Sequence, residues 1–269
     1  MSQKIFFHVG LSKTGSTFLQ QQIFPKLEGI KYLPTVKYRN ALKLLPEIDA
    51  ELVLVSREFD QQFEREIKKF AKQYPKAYPI IVLREPSSWA VSNYKRFVKN
   101  GHPISFSEFI DLKEDKGLFK LKDFDFHRYL NLLDQHFLNS PLILFYEDLK
   151  LNPHNFTHQL LNYTGTTLNF KNVNWTPHHV SYDENSLKLV RKLSERIQFQ
   201  KKLEVHIKPK GFLYNLYANT IRYSILYGSK AIPNAWFPKE EFINSQDVIN
   251  VKEHFSKAWT SIREENHEI

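Results

Sequence analysis

The first residues of the chain run Ile5-Phe6-Phe7-His8-Val9, then Gly10-Leu11-Ser12-Lys13-Thr14-Gly15-Ser16-Thr17, then Phe18-Leu19-Gln20-Gln21-Gln22-Ile23-Phe24. The first piece is a short apolar strand. The last has apolar residues at helical spacing. Between them lies a loop bounded by Gly10 and Gly15. Loop amides and the first amides of a helix lack internal partners, so strand, loop and helix form a cradle for an anion. The helix dipole adds partial positive charge and Lys13 adds a full one. Ser12, Thr14, Ser16 and Thr17 add hydroxyl donors. The expected ligand is a phosphate or a sulfate-like group.

The loop departs from the nucleotide triphosphatase pattern G-x-x-x-x-G-K-[ST]. Gly10 and Gly15 keep its gap, but Ser16-Thr17 follows Gly15 directly and the lysine sits inside the loop, two residues before Gly15. This arrangement resembles the 5′-phosphosulfate loop of the sulfotransferases that use 3′-phosphoadenosine 5′-phosphosulfate (PAPS). Those loops read like G-x-x-K-T-G-[ST]-T, and Gly10 to Thr17 fits without a gap. The alternative is a Gly/Ser-rich turn with no ligand.

Three further apolar runs read as buried strands: Glu51 to Val55, Pro79 to Leu83 and Pro141 to Phe145. Helical spacing follows each, over Asp60–Tyr74, Ser87–Val98 and Pro153–Tyr163, with a further helix at Phe124–Leu138. Tyr32 to Leu45 reads as a loop with a short helix and a place for acceptor contacts. Strands alternating with helices predict an α/β fold: a P-loop-type central parallel sheet flanked by helices, with a mostly helical carboxyl-terminal part. The expected organisation is one domain over 1–269, with an α/β nucleotide-binding core at 1–170 and a helical extension at 171–269. Ligands of such sheets bind beyond the carboxyl ends of the strands. The loop of Lys13, the Ser56–Glu58 turn and the Arg84 turn all leave such ends.

Leu83-Arg84-Glu85-Pro86, followed by Trp89, Ser92 and Tyr94, resembles the sulfotransferase segment in which a strand-end Arg and a helical Ser hold the 3′-phosphate. A guanidinium offers a planar fork to phosphate. With a helix starting at Pro86, Ser92 lies about 9 Å along its axis. Arg84 also fits an ion pair with Glu85. Ser56-Arg57-Glu58 resembles a Ser-x-Glu segment of bacterial carbohydrate sulfotransferases, and glycan sulfotransferases use a glutamate base where cytosolic ones use histidine. Glu58 is therefore the candidate base for an acceptor hydroxyl. It also fits as a helix cap or a partner of Arg57. Rival bases are His102, His178 and His179; His8 reads as packed on the first strand. Lys210, in Lys208-Pro209-Lys210-Gly211, fits the basic Lys-Gly loop that covers the nucleotide in many sulfotransferases. Tyr146-Glu147-Asp148-Leu149 resembles a strand-end motif of the family and reads as structural.

The resemblance implies a sulfotransferase that moves the sulfuryl group of PAPS directly, in line, to a hydroxyl of a saccharide or glycan, with PAP as product and no metal. Lys13 and Glu58 would be catalytic; Ser12 to Thr17, Arg84, Ser92 and Lys210 would bind the co-substrate. Two other classes stay open: a P-loop kinase or triphosphatase, and a non-catalytic nucleotide- or glycan-binding module.

Bulk properties agree. The chain has 269 residues, 42% hydrophobic and 25% charged, with no cysteine, which excludes disulfides and thiolate metal sites. Its net charge of +9 and pI of about 9.4 suit an anionic nucleotide. The bases are dispersed, so no nucleic-acid partner is expected. No apolar run is long enough for a transmembrane helix. Met1-Ser2-Gln3-Lys4 leaves no room for a signal peptide, a form resembling bacterial members more than membrane-anchored Golgi ones. The expected location is the cytoplasm, with peripheral membrane association left open. Phe212 to Tyr227, rich in Tyr and Leu, reads as a core-packed helix ahead of a dimer surface or a membrane-facing patch.

Overall fold

A computed structural model describes residues 3–176, 182–200, 209–237 and 239–266, without the side chains of 209, 210 and 234. β1 (Lys4–Gly10) feeds the loop and then α1 (Ser16–Phe18). The helical path continues as a π-helical turn over Leu19–Ile23 and a 3-10 turn over Phe24–Lys26. β2 (Lys31–Leu33), α2 (Ala41–Leu44), β3 (Leu52–Ser56), α3 (Phe63–Ala71), β4 (Tyr78–Leu83) and α4 (Pro86–Lys99) follow. Then come α5 (Phe106–Phe109), α6 (Phe126–His136), β5 (Leu142–Phe145), α7 (Tyr146–Leu151) and α8 (Pro153–Thr164). The described helices end with α9 (Glu184–Ser194), α10 (Pro209–Gly228) and α11 (Ser245–Glu265).

The five strands form one parallel sheet in the order β2-β3-β1-β4-β5. β1 is central, pairing Phe6 with Leu54 on one side and with Tyr78 on the other. Successive side chains of a strand point to opposite faces. Phe6 accordingly joins a core with Leu54, Val82, Leu144 and residues of α8 such as Phe156 and Leu160. Phe7 turns to the other face and stacks on Phe70 of α3 at 3.9 Å between ring centroids. The strand order reverses at β1, so the carboxyl ends of β1, β3 and β4 bound the crevice where ligands of such sheets sit.

Contacts within the chain group into two units, one of Met1–Trp89, Lys122–His178 and Phe255–Ile269, the other of Ala90–Leu121 and His179–His254. This division differs from one at residue 170. The end of α11 joins the sheet-bearing unit because it brings apolar surface there. Phe255 stacks on Phe124, Trp259 packs edge-on against Phe126 and Phe145, and Arg263 makes a two-pronged bond to Asp148 at 2.9 and 3.0 Å. The second unit has its own core, in which Tyr94 stacks on Phe242 and Arg191 donates to the Tyr94 hydroxyl at 2.9 Å.

His8 is fully buried on β1, as its sequence position suggests. Its Nδ1 lies 2.9 Å from Ser56 Oγ, which also accepts from Gln20 Nε2 at 3.0 Å. Its Nε2 is buried with no hydrogen-bond partner. Burial disfavours the imidazolium and pulls the ring down from 6.5 to about 3. The unfolded chain therefore takes up a proton below pH 6.5 that the folded one refuses until about pH 3. Stability is fully present above the unfolded value and falls as pH drops through this window, by about 1.4 kcal/mol per pH unit. Urea unfolding between about pH 6 and pH 4 should show a shallower loss for His8→Gln than for the wild type. Parallel slopes would contradict a neutral buried His8.

Candidate functional site

Three successive carbonyls of the loop are each tied to a donor. Leu11 O accepts from Thr14 Oγ1 at 2.6 Å and from Ser16 Oγ at 3.0 Å. Ser12 O accepts from the indole Nε1 of Trp89 at 2.7 Å, and Lys13 O from Arg84 Nη1 at 2.9 Å. Asp60 holds the same stretch from β3's side, accepting from Ser12 N at 3.2 Å and from Ser12 Oγ at 2.9 Å. Leu11 N is bound to Val82 O at 3.0 Å. With its carbonyl oxygens neutralised by donors, such a loop presents amide dipoles to an anion. Lys13, at φ 65°, and Gly15, at φ 88°, take the positive-φ conformations that this path requires.

The hydroxyls of the loop do not all act as the sequence suggests. Ser12, Thr14 and Ser16 are buried, and their side chains brace the loop itself. With Ser12 N bound to Asp60, their contribution to an anion would come from the backbone N–H groups of Thr14 and Ser16. Thr17 is half-buried and Lys13 is exposed.

Arg84 leaves the end of β4 and reaches across to the loop. Its Nη1 takes Lys13 O, its Nε donates to Ser88 Oγ at 2.8 Å, and its guanidinium lies 4.4 Å from the centre of the Tyr146 ring. Glu85 does not pair with it. Glu85 caps α4 instead, accepting from Ser87 N at 3.0 Å and Ser88 N at 2.8 Å. Burial lowers the Arg84 guanidinium from its ordinary value, against the raising effect of Tyr146, Glu147 and Glu85. Ser92 is half-buried on α4, in the stretch of that helix belonging to the second unit.

Glu58 sits where β1 ends. Arg57 N donates to His8 O at 2.9 Å and Phe59 N to Val9 O at 3.1 Å, carrying the β1–β3 pairing beyond Ser56. This brings Glu58 alongside Gly10. A Cβ on Gly10 would lie 3.3 Å from Glu58 Cα and 3.0 Å from Phe59 N, at a φ of +115°. Tyr32 is close by. Burial raises its phenol to about 12, with the charge of Glu58 adding and a hydrogen bond to Ser56 opposing.

Lys210 is the second residue of α10, and its side chain lies outside the described residues, as do Lys208, His178 and His179. His102 belongs to the second unit, half-buried against Phe97 at 5.0 Å; burial, with Arg222 and Arg96, lowers it. The strand-end motif is structural at three of its positions: Glu147 accepts from Glu85 N, Asp148 pairs with Arg263, and Leu149 joins the core. Its Tyr146 also reaches Arg84. Asp60 and Ser88 are residues that sequence reasoning did not assign, and it named Trp89 and Tyr32 only within longer segments. Among the described residues no group of three or more His, Cys, Asp or Glu could hold a metal.

A parallel sheet with order 2-3-1-4-5, and a carbonyl-tied loop that carries Lys13 and is held by Arg84, define a P-loop-like α/β protein. The family model described as "Sulfotransferase domain" matches residues 4–211. The chain belongs to that family and is a PAPS-dependent sulfotransferase of the EC 2.8.2 class. Among solved structures, a sulfotransferase from Alicyclobacillus acidocaldarius shares the fold at 15% identity and TM-score 0.53, over 72% of this chain and 93% of that one. The mouse sulfotransferase SULT7A1, solved in complex with PAP, aligns at 14% identity and TM-score 0.42, over 85% of this chain and 88% of that one. No curated protein matches the chain.

The loop is also packed from outside. A Cβ on Gly15 would lie 2.5 Å from Leu149 Cδ2 and 3.3 Å from Tyr146 Cδ2, at a φ of +88°. Gly15→Ala is therefore expected to cost about 1–3 kcal/mol, from strained backbone and overpacking together. Urea denaturation measures it, and an unchanged midpoint would contradict the packing.

Proposed function

We propose that this sulfotransferase acts on a hydroxyl of a saccharide or glycan, with Glu58 as the base and Lys13 at the leaving phosphate. The observation that carries this reading is the juxtaposition at the end of β1: two strand-like hydrogen bonds hold Glu58 beside Gly10, where the loop containing Lys13 begins. The resemblance of Ser56-Arg57-Glu58 to bacterial carbohydrate sulfotransferases supports a sugar acceptor.

PAPS supplies the sulfuryl group. The amides of residues 14–17 would hold its 5′-phosphosulfate, with the carbonyls of Leu11, Ser12 and Lys13 kept away by the bonds to Thr14 and Ser16, to Trp89 and to Arg84. Arg84, oriented by Ser88 and Tyr146, would take the 3′-phosphate. Glu58 would accept the acceptor's proton as its oxygen bonds to sulfur and the bond from sulfur to the 5′-phosphate oxygen breaks. Lys13 would stabilise the charge left on that oxygen. Positioning and preorganised charge supply most of the acceleration, as in phosphoryl transfer.

Glu58→Gln should lower kcat by about 10²–10⁴-fold while PAP affinity stays within about threefold. Lys13→Ala should lower kcat as well as weaken nucleotide binding. Steady-state sulfate transfer to a panel of saccharide, phenol and sterol acceptors, read by mass spectrometry, tests both parts. Full activity in Glu58→Gln, or sulfation of phenols and not sugars, would contradict the proposal.

A further inference from the structure

α10 is built the wrong way round for a core helix. Phe212, Leu213, Leu216, Tyr217, Tyr223 and Tyr227 are all exposed, Phe212 at 65% and Leu213 at 63%. At 100° per residue these six fall within one arc of about 140°. The opposite side of the same helix is buried and includes Asn215 and Arg222. Arg222 is satisfied there by Phe199 O at 3.2 Å, Asn100 O at 3.4 Å and the side chain of Asn219. The helix turns Asn215 and Arg222 inward beside Ala218 and Leu226, and offers Leu, Phe and Tyr to the outside. Trp236, in the 3-10 turn Asn234–Trp236, is 80% exposed and extends the apolar segment.

Charge indicates what covers this face. From Val205 to Lys239 the sequence has no Asp or Glu; Arg222 is turned inward, while Lys208, Lys210, Lys230 and Lys239 are further basic residues of this stretch and Lys230 and Lys239 are exposed. Acid-free sequence around an exposed apolar face, on a chain of net charge +9, is complementary to an anionic surface. A second copy of the chain would set like charges against one another. Tyr and Trp suit a boundary that is apolar on one side and wet on the other. No described helix is long and apolar enough to cross a membrane. We infer that the outward face of α10, with Trp236, is an attachment face for an anionic lipid bilayer, lying in its interface without spanning it. Apolar burial and attraction to anionic headgroups act together in such attachment. The inference stands apart from the choice of acceptor and base.

The test is co-sedimentation of the full chain with phosphatidylcholine vesicles with and without phosphatidylglycerol. The wild type should partition onto the anionic vesicles at least about tenfold more than onto the neutral ones, and added salt should weaken it. The combined variant Leu213→Ser, Leu216→Ser, Tyr217→Ser, Trp236→Ser should lose more than about tenfold of that partition. Leu138→Ser with Leu151→Ser, exposed positions in the other unit, should lose none. Lys230→Glu with Lys239→Glu leaves the apolar residues in place and should also lower partition. The inference is overturned if the wild type ignores anionic vesicles, or if either the apolar or the charge-reversal variant binds them like the wild type. It is equally overturned if the apolar variant changes only a monomer–dimer equilibrium in analytical ultracentrifugation.

Discussion

The bond from Arg84 Nη1 to Lys13 O links the two candidate anion-binding elements of the sheet, because it joins the end of β4 to the middle of the loop after β1. Arg84 thereby has two tasks. It holds one loop carbonyl, and its remaining donors and charge stay beside the loop, oriented by Ser88 and the Tyr146 ring. Trp89 and the Thr14 and Ser16 hydroxyls do the same for the two preceding carbonyls. A loop held in this way loses little conformational entropy when an anion arrives, so more of the interaction appears as affinity. The lysine sits inside the loop and not after its second glycine, so the residue order differs from that of the triphosphatases.

Much of this was legible in the sequence where the signal is local. β1, β3, β4 and β5 are continuous apolar runs, as buried parallel strands are. β2 was missed because Lys31-Tyr32-Leu33 is a three-residue edge strand, defined by its pairing with Val53 to Val55 and not by its own pattern. The helix after the loop was legible from apolar spacing, whereas its π-helical turn at Leu19–Ile23 leaves no such mark.

The site divides in the same way. Gly10, Lys13, Gly15 and Arg84 could be picked out because motif spacing names them. Asp60 could not, since its partner Ser12 is 48 residues away and the bond exists only in the fold. The resemblance pointed to Ser92, yet Ser88, one helical turn after Arg84, takes its Nε. Periodicity also failed to orient α10. Apolar residues lie all round that helix, so the sequence reads as core, and only the burial of Asn215, Ala218, Arg222 and Leu226 reveals which side faces in.

The most direct measurement is calorimetric titration of PAP, in the presence of EDTA, into the wild type and Arg84→Ala, with ATP and Mg²⁺ as the comparison. The account predicts metal-independent binding of PAP that Arg84→Ala weakens by more than about tenfold, consistent with loss of a charged bidentate donor and a loop tether. Preference for ATP with Mg²⁺, or undiminished PAP binding by Arg84→Ala, would contradict it.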